Sequence, residues 1–382
     1  MLDFIVNLPN NSGYIVSLTI RTSVFAIFAL GLNLQWGFTG LINFGHIAFM
    51  TIGAYTTVML SLAGIPLIIA VIVGAALAAL LGFLIGTSTL RLREDYLAIV
   101  TIGVSELVRL IANNEEWLTR GVQGVRRYQI PFVDWQPSTI GKIIAIAVLT
   151  GLGIFAQWQL LRGIKHQLRE YRSNKNTSSD RLRNPITLIF WGAIATVIIL
   201  FVYINGTISL YNYHYQAGLM VLVLLVLAVV YWGLEILVRS PWGRVIKAIR
   251  EDEEIARALG KNVFWYKLQA FMLGGAIAGV AGSFYAWQLN AVYPNSFEPL
   301  QTFNAWIIVV VGGAGSNPGT ILGAIIFWTY DALTRFLLPQ LGIDNARLSA
   351  LRIMIIGLIL MFLVMWRPQG ILGKKEELTL GK

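Results

Sequence analysis

Long apolar runs, interrupted at intervals by short polar clusters, organise the whole chain. A helix needs about 20 apolar residues to cross a hydrocarbon core. Stretches of that kind fall at roughly 14–36, 41–60, 65–90, 139–161, 186–210, 216–238, 263–289, 318–338 and 351–366. Two shorter stretches, 96–112 and 303–315, fit a crossing, a re-entrant segment or an interfacial helix. The pattern predicts an all-α, polytopic integral membrane bundle of about 9–11 transmembrane helices. It reads as a single transmembrane domain over residues 1–382.

Composition sharpens this. Of the 382 residues, 56% are apolar and 13% charged, against about a quarter charged in soluble domains. No Asp, Glu, Lys or Arg occurs in 22–90, 184–234, 268–297 or 299–330. An uncharged run of such length leaves a soluble domain without ionic surface. There is no cysteine, which excludes disulfide scaffolds, thiolate metal sites and cysteine nucleophiles.

The net charge of +10 is concentrated. Residues 162–183 carry seven Lys/Arg against two acids, and 239–267 carry seven against four. Short basic loops beside apolar spans mark the cytoplasmic side. With eleven crossings the N-terminus lies outside, and both basic loops and the tail after residue 366 lie inside. The first 20 residues hold no Lys or Arg, which agrees with an outside start and speaks against a cleaved, cationic leader. Glycines spaced by four, Gly82/Gly86, Gly275/Gly279 and Gly315/Gly319/Gly323, predict close helix packing in lipid.

Catalytic signatures are missing. The chain has no G-x-x-x-x-G-K-[ST] phosphate loop and no H-E-x-x-H. His46, His166 and His214 are too scattered for a metal site, and no Ser/His/Asp arrangement stands out. The reading is a non-enzyme with no cofactor and no metal of its own.

The richest polar segment is 239–262. Ser240-Pro241 is a helix start and Gly260 a stop. Val245, Ala248, Ile249, Ile255, Ala256 and Leu259 share helical spacing, with mixed charges opposite. The acidic run Glu251–Glu254 suits the first turn of a second short helix. A connector needs no apolar stripe, so the pair reads as a docking surface formed by Arg244, Ala248, Arg250, Glu251, Asp252, Ala256, Leu259 and Gly260.

Inside the spans, Asn43 and His46 share a helix face and are either groups on a solute path or hydrogen-bonding residues between helices. Gly37, Gly40 and Gly45 suggest a broken helix; Gly312, Gly313, Gly315 and Pro318 mark a second break, for packing or as a hinge. Glu106 and Arg109 have the spacing of an intrahelical ion pair.

Four stretches, in order, resemble the permease subunits of ABC importers for branched-chain or neutral amino acids, the LivM type of the hydrophobic amino acid uptake family. They are GLNLQWGFTGLINFGHIAFMTIGAY (31–55), RLREDYLAIVTIGVSELVRL (91–110), SPWGRVIKAIREDEEIARALGKN (240–262) and VVVGGAGSNPGTILGA (309–324). With the residues after Gly260 they cover roughly half the chain. The resemblance implies a coupling helix at 239–262 that docks an ATPase, and a bacterial inner-membrane location. It also implies a second permease, two cytoplasmic ABC ATPases that bind the ATP, a solute-binding protein, and no nucleic acid. Urea and short-amide importers share this architecture and are the alternative; an ion-coupled secondary transporter is a further one. The apolar stretches around the basic loop, within 139–210, form an apparent insertion relative to such permeases.

Overall fold

The computed structural model describes residues 12–90, 94–135, 137–173, 185–337, 345–366 and 370–373. Part of the basic segment, 174–183, lies outside the described residues, as do the first eleven residues and most of the C-terminal tail. The chain is a multi-pass helical membrane protein. Among the described residues, six helices are long and apolar enough to cross a membrane, and a further pair passes that test jointly but is bent by 117° at a break.

In chain order, α1 (Ser12–Leu32) runs into a π-helical turn, Asn33–Phe38. Then come α2 (Ile47–Leu62), α3 (Leu67–Thr89), α4 (Glu94–Asn114) and the single turn α5 (Glu116–Thr119). A two-residue strand β1 (Val125–Arg126) precedes α6 (Thr139–Ser173), α7 (Pro185–Tyr211) and α8 (Tyr215–Arg239). Two short helices follow, α9 (Pro241–Glu251) and α10 (Glu253–Ala258), then α11 (Val263–Leu289) and β2 (Ala291–Val292). The chain ends with α12 (Leu300–Gly312), α13 (Asn317–Leu337) and α14 (Asn345–Trp366).

Two boundaries differ from the sequence reading, and the two stretches it left open are assigned. The span expected at 41–60 becomes helical only at Ile47, because Gly40 turns the chain at φ 81 and residues 39–46 are irregular. The stretch 96–112 lies in α4, a candidate crossing, whereas 303–315 is the first arm of the bent pair. Helix α6 continues to Ser173, so the first half of the basic segment prolongs the helix rather than forming a loop. Arg162 lies with its guanidinium 5.2 Å from the Trp158 ring centre, a stem-and-head arrangement suited to a helix leaving the apolar layer.

The chain divides into two compact units, Met1–Ile20 with Pro131–Ala228, and Arg21–Ile130 with Val229–Lys382. In the first, α6 and α7 form a hairpin tied by Thr150 to the Tyr203 hydroxyl at 3.1 Å and by Gln157 Nε2 donating to Thr196 Oγ1 at 3.1 Å. The apparent insertion at 139–210 is this hairpin.

In the second unit, α2, α3 and α11 pack backbone to backbone. A Cβ on Gly53 would fall 2.0 Å from the Gly279 carbonyl oxygen, and one on Gly282 would fall 2.0 Å from that of Met50. A Cβ on Gly82 would fall 3.2 Å from Met272 Cα, and one on Gly86 2.5 Å from the Leu268 side chain. The four-residue glycine spacing is therefore a packing device, since dispersion between closely approached helices replaces the hydrophobic effect inside lipid. Thr57 and Ser283 add a buried hydroxyl pair at 2.7 Å.

Gly53→Ala should lower the apparent melting temperature of the detergent-solubilised chain, the overpacking costing about 1–3 kcal/mol or more because the obstructing atom is backbone. Gly103→Ala, where a Cβ meets nothing within 4 Å, should leave it unchanged or slightly raised. Equal melting of the two variants would refute the packing account.

Candidate functional site

The site begins where α1 ends. Asn33 to Phe38 form one π-helical turn, after which Gly40 reverses the chain. Such turns free backbone groups that need partners, and a bilayer offers no water to supply them. Some here are met by backbone, the Gly40 and Leu41 amides donating to the Trp36 and Gln35 carbonyls at 2.9 Å, and others by specific side chains.

Asn33 and Gln35, fully buried, stand at the turn. Gln35 Nε2 donates to Phe271 O on α11 at 2.8 Å, while its Oε1 accepts from Asn43 Nδ2 at 2.8 Å. Asn43 Oδ1 accepts the Gly45 amide at 2.9 Å, and its carbonyl accepts from Trp306 Nε1 at 3.0 Å. His46 lies 3.1 Å through Nε2 from the Phe28 carbonyl. A carbonyl only accepts, so Nε2 carries the hydrogen and Nδ1, 3.5 Å from Asn43 Nδ2, is left as acceptor. Phe44 and Ile47 amides donate to Thr101 and Thr302 hydroxyls at 3.2 and 3.0 Å. Trp36, Phe44, Phe303 and Trp306 fill the space between, with Trp36 and Trp306 ring centres 4.3 Å apart. Residues 39–46 are thus pinned to α1, α4 and α12, and to α11 through Gln35. Asn43 and His46, predicted for a solute path, have no exposed surface, and their polar side-chain atoms face protein partners.

The second break lies against the first. Gly313 and Gly315 take φ of 112 and 78, values that favour glycine. Ser316 then caps α13, its Oγ accepting the Gly319 amide at 3.2 Å, with Pro318 in the first turn. Arms α12 and α13 meet through glycine, a Cβ on Gly312 lying 2.1 Å from Gly319 O and one on Gly323 2.1 Å from Ile308 O. The last carbonyls of α12, on Val311 and Gly312, accept amides of Ile371 and Leu372 at 3.0 and 2.9 Å. Two of the glycines expected at hinges meet: a Cβ on Gly37 would sit 2.5 Å from the Gly315 nitrogen and 2.0 Å from Asn33 Oδ1. Asn33 joins the breaks, accepting the Gly315 amide at 2.9 Å and donating to Asn317 Oδ1 at 3.3 Å. Asn317 donates onward to Glu235 at 3.2 Å, and Glu235 holds Arg239 at 2.7 Å, one residue before the helix pair starts.

The helix pair closes the circuit. Ser240 caps α9, accepting the Gly243 amide at 3.4 Å, and Asp252 caps α10, accepting the Ile255 amide at 3.0 Å. Glu253 and Glu254 occupy the first turn of α10, and Gly260 ends the motif at φ 75. Arg250 Nη1 donates to the Gly37 carbonyl at 2.5 Å, and Lys247 stands 5.6 Å from the Phe38 ring centre. Both cations therefore sit at the C-terminal end of a helix, where the dipole favours them. Glu253 also pairs with Arg257 at 2.7 Å and with Lys267 of α11.

The predicted docking surface divides into two faces. Ala256 is buried, packed with Ile249, Val263, Val245 and Tyr266 in a small core that holds α9, α10 and α11 together. It is a seam residue, and so lies beneath the surface expected to dock. Arg250 points at the break. Arg244, Ala248, Glu251, Asp252, Leu259 and Gly260 are exposed, joined by Ile255, with 60% of its surface open, and Leu259, with 74%. Amphipathic spacing alone does not say which apolar residues face inward when a helix is folded back on its neighbour. Asn33, Gln35, Glu235 and Asn317 escaped the sequence reading too. Their signal was present, as amides and an acid in apolar spans, but only three-dimensional contact links them.

The expected Glu106–Arg109 pair forms in α4, with Arg109 Nε donating to Glu106 Oε2 at 2.9 Å.

A family profile described as branched-chain amino acid transport system / permease component matches residues 14–365. The high-affinity branched-chain amino acid transport system permease protein LivM of Escherichia coli is 32% identical over 94% of this chain and 69% of its own length. A probable LivM permease of Methanocaldococcus jannaschii is 23% identical over 93% and 92%. The LivH permease of Salmonella typhimurium is 25% identical over the same shares, 93% and 92%. No solved structure matches the chain.

Asn33→Leu should cost about 1–3 kcal/mol, because the Gly315 amide and the Asn317 amide oxygen lose their partner in a dry site. Thermal unfolding in detergent measures it.

Proposed function

We propose that this chain, which belongs to the branched-chain amino acid transport system permease family, is a translocating subunit of an ATP-driven importer for branched-chain amino acids. Both compact units are parts of one permease domain set in a bacterial inner membrane. It forms the pathway with a second permease chain. Two cytoplasmic ATPase subunits bind and hydrolyse the ATP, for which this chain's sequence has no phosphate loop, and a solute-binding protein delivers the amino acid.

One observation carries the mechanism: the loop expected to meet the ATPase is bonded directly to the broken helix. Arg250 grips the Gly37 carbonyl from one end of α9. Glu235 and Arg239, just ahead of its other end, reach the second break through Asn317. ATPase closure moves the exposed face made by Arg244, Ala248, Glu251, Asp252, Ile255, Leu259 and Gly260. That movement pulls on both breaks together, and Gly37, Gly40, Gly313, Gly315 and Pro318 absorb the change in backbone angle. Residues 39–46, with Asn43 and His46, are the part of the pathway carried along. The access change is then a switch of a bistable packed unit, driven by a partner rather than by ions.

Ile255→Asp with Leu259→Asp should prevent co-purification of the ATPase subunits, because two charges enter an apolar contact. Arg250→Ala should leave assembly intact and lower solute uptake per ATP hydrolysed by about tenfold, as expected when one charge-assisted hydrogen bond is lost. Full co-purification of the first variant would exclude this docking face, and unchanged stoichiometry in the second would exclude the strap.

A further inference from the structure

Arg21 is the only Asp, Glu, Lys or Arg between residues 4 and 90, and it stands within the first candidate span, Ser12–Phe38. It precedes Asn33 by twelve residues, while Trp328 follows Asn317 by eleven. Asn33 and Asn317 are bonded at the paired breaks, so at 1.5 Å per residue both Arg21 and Trp328 stand at a level about 17 Å away from them. The two side chains meet there, the Arg21 guanidinium lying 5.2 Å from the Trp328 ring centre. Gly37, whose carbonyl Arg250 holds, lies beyond Asn33, which puts this level on the side of the breaks away from the helix pair.

The level carries unmet donors. Among the described residues, no hydrogen bond or ion pair holds the half-buried Arg21 guanidinium. The acid of α13, Asp331, is taken by Arg335 at 2.8 Å and by Arg352 at 3.9 Å. Trp328 Nε1 is buried and has no hydrogen-bond partner either. A guanidinium and an indole N–H only donate, so a group that satisfies both must accept, and the charge on Arg21 calls for an anion. Beside them runs an aromatic wall. The Phe25 ring centre is 4.8 Å from that of Trp328, Tyr285 is 5.8 Å from Phe25, and Phe297 is 5.7 Å from Tyr285. Tyr55 ends the row 5.9 Å from Phe297, its buried hydroxyl also without a partner.

A cation without an anion at membrane depth is costly and marks a solute path or a partner. We propose that Arg21 and the Trp328 indole receive the carboxylate of the amino acid during its passage, while the wall of Phe25, Tyr285 and Phe297 faces its apolar side chain. The inference rests on the importer reading and deepens it, because a carboxylate requirement sets amino acids apart from urea and short amides. An acid on the second permease is the lesser fit. A neighbouring chain can reach half-buried Arg21, but Trp328, with 7% of its surface open, is reached only by a small solute entering between α1 and α13. Those helices are bonded to each other at the breaks, so the movement that switches the breaks also opens this seat.

Equilibrium dialysis of labelled leucine and of leucine amide against the assembled transporter in nanodiscs, without binding protein or nucleotide, tests the seat. The wild type should bind leucine about tenfold more tightly than the amide, as expected for one charge-assisted hydrogen bond. Arg21→Gln should lose most of that preference, and Arg21→Lys should keep much of it. Trp328→Phe, which retains a ring for packing and removes only the indole donor, should weaken the preference as well. A preference unchanged in both Arg21→Gln and Trp328→Phe overturns the seat alone, as does a wild type that binds neither probe or both equally. Loss of the second permease from purified Arg21→Gln also overturns it, assigning Arg21 to an ion pair between subunits. A wild-type transporter that accumulates no leucine in proteoliposomes, given binding protein and ATP, overturns the importer reading, and the seat with it.

Discussion

A helix broken inside a bilayer exposes backbone donors and acceptors where no water can satisfy them. This chain breaks two helices, at Asn33–Gly40 and at Gly312–Ser316, and brings the breaks into contact. Nearly every unusual residue in the second unit is explained by that demand. Asn33 serves the Gly315 amide, Arg250 the Gly37 carbonyl, His46 the Phe28 carbonyl and Trp306 the Asn43 carbonyl. Where no side chain is available, other backbone comes in, as Ile371 and Leu372 do at the end of α12.

The same unit contains its opposite. Helices α2, α3 and α11 touch through Gly53, Gly279 and Gly282 at distances that leave no room for a methyl group. Such a block moves as one body, because close-packed interiors have few intermediate arrangements. Beside it, hydrogen bonds and glycine turns hold the breaks, and these can exchange partners at a modest net free energy of about 0.5–1.5 kcal/mol each. A rigid block next to a re-bondable joint is the arrangement a two-state gate requires.

The helix pair is the link between that joint and the outside. Its own small core of Ile249, Ala256 and Val263 lets α9 and α10 behave as one lever on the end of α11. Glu253, bonded to Lys267 as well as to Arg257, fixes the lever's angle. Arg250 is the one cation of this segment seen to reach a break carbonyl, and under the proposed function that bond gives its charge a mechanical use. The LivM and LivH relatives align over nearly the same share of this chain, as expected if a second permease is built on a similar plan.

Apolar run length, concentrated basic loops and glycine spacing were enough to give the class of fold and the helix pair with its caps at Ser240 and Gly260, because each is local and depends on one solvent preference; of the 9–11 crossings expected, six helices and one bent pair among the described residues are long and apolar enough. Glu106 with Arg109 was equally legible, three residues being one helical turn. The motif resemblance carried the family. Tertiary structure alone decided the rest. Ala256 reads as surface in sequence and is seam in the fold, while its neighbour Ile255 is left open. Gly37 and Gly315, or Arg250 and Gly37, lie hundreds of residues apart, and no periodicity encodes their meeting. Hydrogen-bond partners for a broken helix are chosen by proximity in space, and proximity exists only once the helices have packed.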